Sequence, residues 1–249
     1  MPSLSVLRPP RSDQSARSPR PVRRPQLAVL DMAGTTVDDG LIQEDCLREV
    51  LDAHGIAAGS EAESEVQRLW RQAHGTSRFG VFRSLFHDDV STAHQANRRF
   101  EDRYDELVRE RGVRPVEGAA DAIAWLRSEG VLVCLATGLA RHTQNTILES
   151  LGWMGLADLS LCPSDAGRGR PSPDIVLTAV LALDVDDVRE VVVVGDTPND
   201  MTAGLRSGAS DVVGVTTGAF SAGELWDAGA TDVMDSVAGL PGLLSGERG

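Results

Sequence analysis

Short apolar runs recur along the chain at 27–30, 131–135, 159–161, 191–194 and 212–215, and patterns of helical period fill the intervals. A strand covered on one face alternates apolar with polar, so continuous runs predict parallel strands buried on both faces, with helices as the crossovers. The pattern therefore predicts an α/β fold with a Rossmann-like parallel sheet core and helices on both faces. One interval breaks the rhythm: residues 41–113 hold no strand-like run. Leu47, Val50 and Leu51 predict a helix over 42–54 that stops at Gly55, and Ser60-Glu61-Ala62-Glu63 has the form of a capping box opening a second. A long helix over 91–111 follows, ended by Gly112. This interval reads as an all-helical cap inserted into a core of residues 26–40 and 114–249. Pro115-Val116-Glu117-Gly118 is the return hinge, leading into a helix over 119–129.

Charge adds a boundary. Within residues 1–25, Arg8, Arg11, Arg17, Arg20, Arg23 and Arg24 face the single acid Asp13 among prolines and serines, which predicts a disordered tail. The whole chain carries a formal charge of −13 with only 4% aromatic residues, a poor basis for a nucleic-acid groove. No apolar run approaches the roughly 18 residues that span a bilayer. A cytoplasmic protein with a small-molecule partner is expected, without nucleic acid or membrane, and nothing sets the oligomeric state. Cys46, Cys134 and Cys162, odd in number and far apart, are expected as buried reduced thiols. All 24 basic residues are arginine, so the chain holds no lysine.

The chemistry gathers at the ends of the apolar runs, where parallel sheets bind ligands. Asp31 opens Asp31-Met32-Ala33-Gly34-Thr35-Thr36-Val37-Asp38, and another run ends in Val194-Gly195-Asp196-Thr197-Pro198-Asn199-Asp200. A carboxylate can act as a nucleophile and split one difficult transfer into two steps. Clustered acids offer oxygen ligands to magnesium. Leu135-Ala136-Thr137-Gly138 ends a further run, and Arg168-Gly169-Arg170-Pro171-Ser172-Pro173-Asp174 follows the next.

In this order the four segments resemble the motifs of the haloacid dehalogenase superfamily, and Asp-x-Ala-Gly-Thr-Thr-Val-Asp is most similar to its phosphonatase-like branch. The resemblance implies Asp31 as nucleophile, Thr137 and Arg170 as catalytic partners, and Gly138 at the substrate. It also implies Mg2+ held by Asp31, the main-chain oxygen of Ala33, Asp196 and Asp200. Ala33 stands where the superfamily usually has the proton-shuttling second Asp. In phosphonatase an imine-forming cap lysine compensates; here Arg78 stands at about that place, and a guanidinium provides no neutral amine for an imine. Five histidines could serve instead. His74, in the cap break His74-Gly75-Thr76-Ser77-Arg78, and His142, on the helix after Thr137, join Arg78 as candidate substrate-binding residues, whereas His54, near a helix end before Gly55, is read as favourable to the helix dipole and His87 and His94 lack motif context. The expected function is magnesium-dependent hydrolysis of a small phosphorylated metabolite, with phosphoglycolate-type monoesters first to test. The alternatives are imine-independent cleavage of a phosphonate P–C bond and non-catalytic binding of a phosphometabolite.

Overall fold

The structure, a computed structural model, describes residues 24–86 and 88–246. Nearly all of the predicted tail, and His87, lie outside the described residues. Among the described residues there are eight strands: β1 (Leu27–Asp31), β2 (Val37–Asp38), β3 (Arg114–Pro115), β4 (Leu132–Ala136), β5 (Leu159–Leu161), β6 (Val191–Gly195), β7 (Asp211–Val215) and β8 (Asp232–Met234). Six form one parallel sheet in the order β5-β4-β1-β6-β7-β8. Successive residues of the central strands enter different cores. Ala28, Leu30, Val133, Leu135, Val192 and Val194 join one apolar cluster, while Leu27, Val29, Cys134, Ala136, Val191 and Val193 join another. Both faces are thus covered, which is why the runs are continuous rather than alternating. Cys46, Cys134 and Cys162 are free and buried.

Four helices separate β2 from β3: α1 (Ile42–Ala53), α2 (Glu61–Gln72), α3 (Arg78–Leu85) and α4 (Val90–Arg111). Their interior is aromatic, with Trp70, Phe82, Phe100 and Tyr104 buried together. At the start of α2 the Ser60 side chain accepts from the Glu63 amide, as the capping box predicts, but the Glu63 carboxylate accepts from the amide of Gly59 instead of closing the box. Gly112, at φ +73°, ends α4. The antiparallel pair β2–β3 ties the way into the insertion to the way out, pairing Val37 with Pro115 and Asp38 with Arg114.

The core helices are α5 (Ala119–Ser128), α6 (Arg141–Leu151), α7 (Pro163–Ala166), α8 (Asp174–Ala182), α9 (Pro198–Ser207), α10 (Ala222–Asp227) and α11 (Leu240–Ser245). Helix α4 packs on α6, joining insertion to core. Among the described residues no helix is long and apolar enough to cross a membrane. The register sets Asp31 opposite Ala136 and Leu30 opposite Val194, so Asp31, Thr137 and Asp196 emerge side by side at the carboxyl edge of three adjacent strands.

Candidate active site

Asp31, Asp196 and Asp200 meet at that edge with ligand oxygens within 4.8 Å of one another, all three side chains buried. Each is positioned locally. The tight turn after Asp31 brings Gly34 against Asp196, at φ +86°, and a Cβ there would sit 2.5 Å from Asp196 Oδ2. The Thr35 hydroxyl donates to Asp196 Oδ1 at 3.1 Å, and the Thr36 hydroxyl donates to the Asp31 carbonyl at 2.8 Å. Thr197 and Asp200 form the capping box of α9, with the Thr197 amide donating to Asp200 Oδ2 at 3.1 Å. Arg170, also buried, bridges the acids: its Nη1 donates to Asp31 Oδ1 at 2.5 Å and to Asp200 Oδ1.

One cation does not balance three buried carboxylates. Burial pushes the Asp31 carboxyl up; Arg170 opposes this, Asp200 adds to it, and the balance is a value of about 7. Burial and then the charges of Asp31 and Asp200 raise Asp196 well above the carboxylate range. Burial alone would lower the Arg170 guanidinium, but Asp200 and Asp31 outweigh it and raise it. Asp196 Oδ2 has no hydrogen-bond partner among the described residues. A buried, oxygen-only donor set with surplus negative charge and an orphaned carboxylate oxygen fits a hard divalent cation.

Asp31, Ala33, His74, Arg78, Thr137, Gly138 and Arg170 line one cavity, together with Gly75, Leu139 and Thr197. The cavity is about 10 Å³, room for roughly one water molecule. It is narrow because the α2–α3 connection lies across it. Asn199 Nδ2 donates to the carbonyls of Gln72 (3.1 Å) and His74 (2.8 Å), and Arg71 pairs with Glu224 at 2.8 Å. A Cβ at Gly138 would lie 2.3 Å from the Thr76 carbonyl oxygen, so only glycine lets the two loops meet. Burial, then the charges of Arg78, Arg170 and Arg71, lower His74 to about 3, so its ring is neutral at pH 7.

His142 is elsewhere. The sequence places it at the substrate, but its Nδ1 lies 2.9 Å from Asp105 Oδ2 and its Nε2 lies 3.5 Å from Glu101 Oε2, both on α4. Helix α6 turns that side chain toward the insertion rather than toward Thr137. Arg168 pairs with Asp174 at 2.8 Å in an exposed ion pair. Another concavity, about 720 Å³ between α1 and α4, holds none of the motif residues. Its charges satisfy one another, as in Arg99–Glu49 and Arg103–Glu49, each at 3.1 Å. The motif residues and the groups with perturbed pKa values, Asp31 and His74 among them, converge on the small cavity instead. Sequence reading missed Thr35, which sits inside the first motif, and Gln43, which contacts Arg78 and belongs to no motif.

The family profile described as haloacid dehalogenase-like hydrolase matches residues 25–208. A phosphonoacetaldehyde hydrolase from Salmonella paratyphi A is 29% identical over 155 residues, covering 53% of this chain and 58% of that protein. The chain thus spans little more than half the length of that relative. A phosphonoacetaldehyde hydrolase-like protein from Oleispira antarctica superposes with a TM-score of 0.77 at 23% identity, over 90% of this chain and 93% of that one. A putative phosphoglycolate phosphatase from Lactobacillus delbrueckii gives 0.70 at 21% identity, over 89% and 99%. Both structures share the fold. With its profile match spanning most of the chain, and the parallel sheet carrying Asp31, Thr137, Arg170 and Asp196 at one edge, this protein belongs to the haloacid dehalogenase-like hydrolases.

Proposed function

We propose that this hydrolase is a magnesium-dependent phosphohydrolase that forms an aspartyl-phosphate on Asp31, acting on a small phosphorylated metabolite. Residues 41–113 would serve as a cap over the core of residues 26–40 and 114–249. The observation that carries the reading is the cluster of Asp31, Asp196 and Asp200 within 4.8 Å, in which Arg170 bridges Asp31 and Asp200, with Asp31 and Arg170 lining a cavity shared with Thr137. Asp31, Asp196, Asp200 and the main-chain oxygen of Ala33 would hold Mg2+, which supplies neutralisation of the phosphoryl charge. Thr137 and Gly138 receive phosphoryl oxygens, and Arg170 holds the Asp31 carboxylate in line. Asp31 attacks phosphorus and the leaving oxygen departs. Water then attacks phosphorus of the acyl phosphate, regenerating the Asp31 carboxylate and releasing its proton to solvent. A pKa of about 3 makes His74 unsuited to act as a cationic acid. Departure of the leaving group is therefore the step that Ala33 leaves unassisted.

A screen of phosphate esters and phosphonates with magnesium tests this, with phosphoglycolate-type monoesters first. Asp31→Asn is expected to lower turnover by about 10³-fold or more; unchanged turnover in that variant overturns the reading. The name of the Salmonella relative favours a second reading, phosphonate P–C hydrolysis, so phosphonoacetaldehyde belongs in the panel. With no lysine in the chain, that route would proceed without an imine, and borohydride would trap no internal adduct.

A further inference from the structure

Arg78 is the first residue of α3 and is only 5% exposed, yet among the described residues no carboxylate is bonded to its guanidinium. Nη2 donates to the Gln43 side-chain oxygen, Trp70 lies against the guanidinium at 4.6 Å, and Nε and Nη1 have no hydrogen-bond partner among the described residues. Burying a cation with donors unmet is costly. A relay keeps it that way. Gln43 Nε2 donates to Asp39 Oδ2 at 2.9 Å, and the Tyr104 hydroxyl donates to the same oxygen at 2.6 Å. With its amide nitrogen committed to Asp39, Gln43 can turn only its oxygen to Arg78. The guanidinium is thereby fixed in place by a neutral acceptor, with Asp39 reaching it only through Gln43, and it lines the cavity that holds Asp31.

The phosphoryl group is already provided for by Thr137, Arg170 and the acid cluster, all on the core, whereas Arg78 comes from the insertion. We infer that Arg78 is the receptor for a second anionic group carried by the leaving group, so that the substrates are short phosphorylated hydroxy acids. This rests on the phosphohydrolase reading above and deepens it. A carboxylate brought by the substrate would supply the direct ion pair and the acceptors that Nε and Nη1 lack. A neutral alcohol of the same size would leave both wants unmet, and that asymmetry selects against it.

The test compares kcat/KM for phosphoglycolate with that for 2-hydroxyethyl phosphate, which replaces the carboxylate by an alcohol, in the magnesium-loaded full chain. Wild type is expected to prefer the acid by roughly 30-fold or more, the scale of a charge-assisted pair. Arg78→Gln should collapse that ratio toward one, and Arg78→Lys, which keeps the charge, should retain part of it. Thermal melting of each variant reports folding, and the wild-type ratio stands whether or not the variants fold. Asp31-dependent turnover of both esters at similar kcat/KM in wild type overturns the Arg78 assignment alone. A ratio unmoved by Arg78→Gln does the same. Absence of Asp31-dependent turnover on any ester overturns the phosphohydrolase reading and this one with it.

Discussion

Ala33 is the residue at which the chain departs from its family's pattern, and its neighbours determine the chemical consequence. The carboxylates that survive, Asp31, Asp196 and Asp200, are buried around Arg170, and only His74 among the described histidines joins the Asp31 cavity. If leaving-group departure is the unassisted step, rates should fall steeply as the leaving alcohol becomes more basic. Ala33→Asp should flatten that dependence and raise turnover of alkyl esters by about 10²-fold; a flat dependence in wild type counts against an unassisted departure. Arg170 also has a structural consequence. Removing it as Arg170→Met leaves the acids uncompensated and should cost about 3 kcal/mol in metal-free denaturant unfolding, at the low end for one partner of a buried charge cluster. Much of the site was legible at this scale because its residues belong to contiguous motifs at strand ends. The Tyr104–Asp39–Gln43–Arg78 relay was not, since its members are 4 to 65 positions apart and meet only when α1, α3 and α4 pack.

Among elements, the long runs marked the central strands to within a residue because burial on both faces imposes continuous apolarity. The pair β2–β3 and the edge strand β8 went unread: at two or three residues each they carry no periodicity, and β8 is only partly buried. The direction of a helix face is harder still, and His142 shows why. Its place five residues past Thr137 suggested the substrate, yet α6 turns it to Asp105 and Glu101 on α4. Partial burial pulls its pKa down, but the hydrogen bond and charge of Asp105, with the charge of Glu101, outweigh this and hold it above its ordinary value. A folded-state pKa raised above the unfolded one gives stability that is full below the unfolded value near 6.5 and is lost as pH rises through the folded value. The stability lost in His142→Gln should therefore be larger at about pH 6 than at about pH 8.5, and below about 1 kcal/mol because the imidazole is half exposed. A difference that grows with pH would contradict the pairing of α4 with α6.

At the scale of the whole molecule, the insertion closes the site. The 74–78 connection rests on Gly138 and Asn199, so a substrate can reach Asp31 only if that connection lifts. Hydrogen exchange should report it: amides of residues 74–78 are expected to slow when magnesium and orthovanadate are added together, and no change would argue against a moving cap. Magnesium should also stabilise the fold without any substrate, by about 2.7 kcal/mol at 100 times its dissociation constant, and Asp196→Asn should abolish the gain in melting temperature. Covalent catalysis at Asp31 is tested outright by acid quenching during magnesium-dependent turnover of an ester that the screen identifies, with peptide mass spectrometry of the quenched protein. One phosphoryl group is predicted on the peptide containing Asp31 in wild type and none in Asp31→Asn, which should also be inactive; full turnover by Asp31→Asn, or a phosphoryl adduct on another residue, would contradict it.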